Sequence, residues 1–519
     1  MRDAADVQRI ARWRLLVAVG WSLVLAITSP AHAGWTRIDT EHFAILVDGA
    51  DKKQARTYGW QLEVFHAAAL GALGVPDSDA RNVNRFEIIL LRDAAQLQRV
   101  KPNLSPTTVG VYLQCRDGAI ALASRKEQRS IWFDRLAEEV LFHEVAHRLM
   151  FKYHGMMYPR WFVEGFAEYM SGTHVRSQQG AALMGTAPGH IKDVWQPMGE
   201  LSFSTLLADA ASDITSDQDF YRHSWALTHY MLFDAQRTEA LTRYLDKVVL
   251  GGNPVQVFES VTGIAVRNLK QNIDLHINTF RSVTSKTSAP DSDQIKVEIT
   301  PLVQSQSEFI LTGAALRLCP SEDHGKSMLE DLRRVRQERD RPSRELRMAL
   351  ARAELNWGDA EAAKAELDAV LSEDPRSFEA HHLLGRAWMK LAGLHAGEER
   401  LTRLNAAREH LFKAYALNKL DAPNHYQIAL LLSPDSTDPN LLTAARNAHG
   451  LEPTVVEYAV LEALVDLEAG DSALAIDALR PIASNPHNPK LSIRVRSAIQ
   501  AIQAGRGVND VAAILNSRD

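Results

Sequence analysis

Residues 141–151 read Leu-Phe-His-Glu-Val-Ala-His-Arg-Leu-Met-Phe, and the reading of that stretch decides how the rest of the chain is understood. It lies inside an apolar-periodic run from Ile131 to Phe151, which predicts a helix. At 3.6 residues per turn, His143 and His147 stand one turn apart on one face. Two neutral imidazoles so placed can bind one Zn²⁺. Glu144, the next residue, is placed to take the proton from a water on that ion. The competing reading is a buried helix whose histidines are satisfied by hydrogen bonds.

Working outward, a catalytic zinc takes three protein ligands and keeps one position open. The segment Pro159-Arg160-Trp161-Phe162-Val163-Glu164-Gly165-Phe166-Ala167-Glu168-Tyr169 supplies the third. Glu164 follows His147 with 16 residues between them and is expected on a second helix packed against the first. Gly165 beside it would allow the helices to approach closely. Glu168, one turn further on the same face, is placed to accept the free N–H of a ligating histidine. Flanking aromatic residues argue against two solvated surface carboxylates. His154 competes as third ligand, but on a continued helix it would stand about 10 Å along the axis from His147. A third histidine six residues after His147 is excluded, because that position is Tyr153.

His143-Glu-Val-Ala-His147 followed by Trp161-Phe-Val-Glu164-Gly-Phe-Ala resembles the gluzincin metallopeptidases. It is similar in particular to the peptidase-MA-like families, exported bacterial proteins related to the aminopeptidase-N clan. The resemblance covers about residues 35–280. It implies one Zn²⁺ per chain held by His143, His147 and Glu164, with Glu144 as general base in peptide-bond hydrolysis. Those families carry a downstream Tyr that hydrogen-bonds the developing oxyanion. Phe220-Tyr221-Arg222-His223-Ser224-Trp225-Ala226-Leu227 fits that pattern, so the role maps onto Tyr221. His223 is the fallback, since thermolysin-like relatives use a His there. In this clan an edge strand above the zinc helix receives an extended peptide, and Ala119 to Ser124 is the candidate strand. The chain departs from aminopeptidase N in a shorter His147-to-Glu164 spacing. It also lacks the segment that grips a free α-amine. The resemblance therefore implies the zinc machinery, and an endopeptidase rather than an aminopeptidase.

Two readings from other classes use the same residues. One is a non-catalytic exported scaffold whose zincin domain is structural; the intact Glu144 speaks against it. The other is a zinc hydrolase of non-peptide amide bonds, which sequence does not separate from a peptidase.

The fold class expected is an α+β zincin-like domain followed by an all-α tetratricopeptide-like solenoid. Trp35 to Val47 reads as a strand pair or a long bent strand, Arg85 to Leu91 as a strand, and Asp51 to Leu73 and Asp93 to Val100 as helices. Val109 to Leu113 and Ala119 to Ser124, split by Arg116-Asp117-Gly118, read as a hairpin. From Ser130 the pattern is helical. Residues 285–300 are expected as a linker between a domain at 34–284 and a helical domain at 301–519. In the latter, Arg344 to Pro375 has the spacing of a tetratricopeptide repeat, with its turn at Gly358-Asp359 and its end at Asp374-Pro375. Leu384-Gly385 opens another unit, extended by an insert from Gly393 to Asn405. Gly470-Asp471 repeats the turn. Such a stack offers a binding surface for a protein partner, or a buttress for the first domain.

Residues 1–33 read as a signal peptide. Arg2, Arg9, Arg12 and Arg14 precede the apolar stretch Leu15 to Thr28, and Ala31-His32-Ala33 is a small-x-small cleavage site. The expectation is an exported chain, periplasmic or secreted, with no stable membrane span after cleavage. The formal net charge of −6 argues against a nucleic-acid binder. Two cysteines, Cys115 and Cys319, are too few for a thiolate zinc cage, and whether they pair is left open.

Overall fold

The computed structural model describes residues 34–75, 85–106, 108–125, 128–129, 134–135, 137–154, 158–176, 181–189, 191, 201–208, 217–280, 285–288, 294–433, 438–483 and 489–517. The expected signal at 1–33 lies outside them. Among the described residues no helix is long and apolar enough to cross a membrane.

The N-terminal part runs β1 (Trp35–Asp39), β2 (Phe43–Asp48), α1 (Lys52–Leu73), β3 (Phe86–Leu91), α2 (Ala94–Val100), β4 (Gly110–Cys115) and β5 (Gly118–Ser124). A capping box of Asp51 and Gln54 starts α1, and Gly74 in the left-handed region ends it. β2 pairs parallel to β3 and β3 parallel to β5, each through a crossover, while β4 folds back antiparallel on β5. A short ladder of β6 (Gln128–Arg129) and β7 (Asp134–Arg135) precedes α3 (Ala137–His154) and α4 (Arg160–Ser171). Then come β8 (His174–Arg176), β9 (Ala181–Met184), α5 (Phe203–Leu207), α6 (Asp217–Leu232), α7 (Ala235–Val249), α8 (Pro254–Thr262), α9 (Val266–Phe280) and β10 (Ser285–Ser288).

The main sheet has the order β11-β1-β2-β3-β5-β4, where β11 is Glu298–Pro301. Alternate residues of its strands serve two cores, because successive side chains leave a strand on opposite faces. Ile45, Ile88, Leu90 and Ala121 pack with Phe65 of α1, Phe142 and Val145 of α3 and Trp161 of α4. Ile89, Leu91, Ile120 and Leu122 pack on the other side with Leu97 of α2 and with Leu316, Leu329 and Leu350 of the C-terminal half. This is why β3, Phe-Glu-Ile-Ile-Leu-Leu, is apolar almost throughout.

The C-terminal half is helical: α10 (Gln304–Ser307), α11 (Ile310–Arg317), α12 (Glu322–Gln337), α13 (Arg344–Trp357), α14 (Ala360–Glu373), α15 (Phe378–Ala392), α16 (Gly397–Leu417), α17 (Ala422–Leu432), α18 (Pro439–Leu451), α19 (Val456–Glu468), α20 (Ser472–Ala483), α21 (Pro489–Gln503) and α22 (Val508–Asn516). Consecutive helices pack in hairpins, giving a repeat-like stack. The turn expected at Gly358-Asp359 joins α13 to α14, with the Asp359 carboxylate capping the N–H groups of Glu361 and Ala362. At Gly385 an added Cβ would stand 2.6 Å from the Leu411 side chain, so α15 and α16 cross on that glycine.

The structure corrects several expectations. Ala119 to Ser124 is not an edge. It lies in β5, which pairs with β3 on one side and β4 on the other, so β4 is the edge. The hairpin turns outward because β5, apolar on both faces, takes the interior position. The expected linker at 285–300 contains β10, which pairs with β9, and the start of β11, which pairs with β1. The helical part is thus joined to the sheet, since α11, α12 and α13 cover its second face. The pattern after Ser130 is not uniformly helical, because β8, β9 and β10 form a sheet of their own. The insert from Gly393 to Asn405 is largely the first turns of a lengthened α16.

Cys115, at the end of β4, and Cys319, after α11, form a disulfide with their Cα atoms 6.2 Å apart. It closes a loop across 204 residues and staples the hairpin to the helical half. Cross-links over loops of this size remove much chain entropy from the unfolded state. Cys115→Ser is expected to lower stability by about 2–4 kcal/mol, seen as an earlier denaturant midpoint in the non-reduced protein. An unchanged midpoint would mean that the staple contributes nothing.

Candidate metal centre

All residues from Trp161 to Ser171 in α4 are buried. Two of them are carboxylates, Glu164 at 1% and Glu168 at 0% exposure. Burying such groups is expensive unless they are paired with positive charge or hydrogen-bond donors. Both face α3. Glu164 Oε2 stands 3.4 Å from His147 Nε2 and 3.6 Å from His143 Nε2, and the two Nε2 atoms are 3.0 Å apart. Glu168 Oε1 lies 3.4 Å from the other ring nitrogen of His143, Nδ1. Ser171 Oγ donates to Glu168.

These three donors fit a zinc ion. Ligands about 2.0–2.2 Å from a tetrahedral Zn²⁺ stand about 3.3–3.6 Å from one another; the two edges to Glu164, 3.4 and 3.6 Å, match, and the His143–His147 edge of 3.0 Å is a few tenths shorter. The field has the matching sign. Burial pushes the His147 imidazole down, yet the Glu164 carboxylate beside it, helped by Glu144 and Glu168, lifts it above its ordinary value. The surroundings therefore favour a cation at this point.

Beside the triangle is a pocket of about 150 Å³ lined by Glu139, Val140, His143, Glu144, Glu168, Ser171 and Tyr221. Glu144 accepts a hydrogen bond from the backbone N–H of Tyr112 on edge strand β4, at 2.9 Å. Tyr221, in the second turn of α6, reaches the same pocket. His223 does not line it. Two residues along a helix turn the side chain to the other side, and His223 is fully buried against Phe203 with its Nδ1 on the Asp219 carbonyl at 2.7 Å. Burial lowers its pKa. His154 also stands apart, one ring nitrogen on the Leu73 carbonyl and the other on the Tyr158 hydroxyl.

Gly165 serves a different neighbour from the one expected. An added Cβ would stand 2.3 Å from Thr228 Oγ1 and 2.4 Å from the Ser224 carbonyl oxygen, so the close approach is to α6 rather than α3. This contact seats α6, which carries Tyr221, against α4, which carries Glu164 and Glu168, and Tyr221 and Glu168 line one pocket. Gly165→Ala is expected to destabilise the chain by about 1–3 kcal/mol. Thermal unfolding checks it, and an unshifted midpoint would show that α6 yields freely.

Sequence reading missed Glu139, Ser171 and Tyr112. The first two carry a signal. Glu139 precedes His143 by four residues and Ser171 follows Glu168 by three, so each shares its partner's helix face. Tyr112 carries none, because its N–H meets Glu144 only through the packing of β4 on α3.

A second group, His42, Glu63 and His66, brings its ligand atoms within 4.8 Å. Its imidazoles stack at 4.0 Å with planes 20° apart, so their lone pairs run side by side instead of converging. Glu63 is held by the His42 backbone N–H at 2.8 Å and by its Nδ1 at 2.7 Å. This is a structural ion pair, with burial pushing the neighbouring His66 down to about 3.

Neither a family model nor a curated protein matches the chain. Among solved structures, the chain is similar to a thermophilic TPR protein of Thermus thermophilus. The likeness has 23% identity and a TM-score of 0.31, covering 34% of this chain and 92% of that one.

Proposed function

We propose that the chain is an exported zinc-dependent peptidase of gluzincin type, cleaving internal peptide bonds. The observation that carries the reading is the triangle of His143 Nε2, His147 Nε2 and Glu164 Oε2, at 3.0 to 3.6 Å, beside a pocket holding Glu144 and Tyr221. When bound there, Zn²⁺ supplies a polarised, more acidic water and a Lewis acid for a carbonyl oxygen. His143, His147 and Glu164 hold the site. Glu168 orients His143 through Nδ1. Glu144 takes a proton at Oε and passes it to the departing amine. The Tyr221 hydroxyl donates to the carbonyl oxygen as it gains charge. The export reading draws support from the N-terminal 33 residues and from the disulfide, which suits an oxidising compartment.

The test is hydrolysis of a mixed peptide library and of an unfolded protein, with and without a chelator, read by mass spectrometry. Chelator-sensitive cleavage at internal bonds supports the reading. Zinc binding without cleavage of peptides would turn attention to non-peptide amides. No zinc binding at all would leave a repeat scaffold.

A further inference from the structure

The helical half does more than cover the sheet. Three of its helices, α13, α15 and α19, present polar residues to a single visitor, the Arg116-Asp117-Gly118 turn between β4 and β5. The Asp117 carboxylate is 4% exposed. It accepts from Arg386 of α15 at 3.0 Å and lies 3.7 Å from Arg352 of α13. Burial would lift the Asp117 carboxyl, but Arg386 and Arg352 hold it below its usual range. Tyr458 of α19 donates its hydroxyl to the Arg116 carbonyl at 2.7 Å. Thr454, just before α19, donates to Gln114 of β4. The Cys115–Cys319 disulfide closes the same contact from α11.

A second contact reaches the metal helix itself. Arg148, the residue after His147, is buried and makes a two-pronged ion pair with Glu452, at 2.6 and 2.8 Å, at the end of α18. It also donates to the Tyr112 hydroxyl at 3.3 Å and lies 4.4 Å from the Phe86 ring centroid. Lys152 donates to the Leu451 carbonyl at 3.4 Å. Buried ion pairs of this sort add little net stability. They fix one arrangement, because a charge left unmatched in the interior is penalised heavily.

We propose that this face of the helical stack is a receptor for the chain's own Arg116–Gly118 turn, and that through the turn it sets edge strand β4, and so the Tyr112 N–H, against Glu144. Asp117, Arg386 and Arg352 are then positioning residues for the metal centre, more than 200 residues apart in the chain for the outer pair. The face is taken in cis, which leaves it closed to an external peptide while the turn is docked. The second half of the proposal rests on the zinc reading of the site; the first half does not.

Two variants test it from opposite sides of the contact, both with the disulfide intact. Asp117→Asn is near-isosteric and takes the carboxylate from Arg386, while Arg352 keeps Glu379 at 2.8 Å; Arg386→Met removes the other side of the pair. Hydrogen–deuterium exchange is followed in residues 110–118, with 472–503 as a folding control. Visible absorption is followed in the Co²⁺-loaded proteins. Exchange in 110–118 is expected to quicken by about 10-fold or more in both variants, with the control segment unchanged. The Co²⁺ spectrum is expected to change at unchanged metal stoichiometry, because Glu144 loses its strand partner. Unchanged exchange in 110–118 would overturn the docking. Quickened exchange with an unchanged spectrum would overturn the coupling to Glu144. A wild-type chain that binds no Co²⁺ would remove the zinc reading and with it the coupling, while exchange still decides the docking.

Discussion

The purified protein is expected to carry about one zinc per molecule, and His143→Ala and Glu164→Ala to bind it more than about 100-fold more weakly. The reasoning is geometric. His143, His147 and Glu164 form a triangle whose edges of 3.0, 3.6 and 3.4 Å suit one ion, and removing a corner leaves too few donors. Glu168→Ala should be milder, about 10- to 100-fold, since it meets the ligand triangle through His143 Nδ1 and is not one of its corners. Elemental analysis and competition with a chromogenic chelator read all of these. A folded wild-type protein that stays metal-free after reconstitution would end the zinc reading. Equal losses in the Glu168 and Glu164 variants would instead show that the carboxylate roles are assigned wrongly.

The second large effect is on turnover. Glu144→Gln should retain the metal, because Glu144 is not a corner of the triangle, and lose about 10²- to 10⁴-fold in kcat. Tyr221→Phe keeps the ring in the pocket and removes only the hydroxyl, so a loss of about 10²- to 10³-fold is expected. His223→Ala should behave differently. Its ring is packed against Phe203 and bonded to the Asp219 carbonyl, so the variant should unfold more easily while its kcat stays within a few-fold of wild type. Cleavage assays on the three proteins, beside their thermal midpoints, decide the matter. A strong kcat loss in His223→Ala at unchanged stability would give the oxyanion role to His223 and take it from Tyr221.

How legible the site was depended on the range of the contact. His143 and His147 are four residues apart, and helix geometry alone puts them side by side. Glu164 and Glu168 share a face by the same rule, and the aromatic residues around them marked that helix as buried. The strands at 35–48 and 86–91 and the turns at Gly358-Asp359 and Gly470-Asp471 were readable for the same local reason. The order of the strands was not. Whether β4 or β5 takes the edge depends on which one the far side of the sheet can cover, and α11 to α13, which supply that cover, lie some 200 residues away.

By itself, then, the sequence determined what local periodicity can carry: the two-histidine helix, the carboxylate helix that follows, the alternation of the strands and the helix pairs of the C-terminal half. Tertiary structure decided everything that joins distant segments. It brought Glu164 to within 3.4 Å of His147, turned Tyr221 into the pocket and His223 out of it, and placed Tyr112 on Glu144. It also linked Cys115 to Cys319 and docked Asp117 between Arg352 and Arg386. The physical reason is the same in each case. A side chain's face is set by its neighbours a turn or two away, but its partner across the molecule is set by which buried surfaces and buried charges can be matched at once.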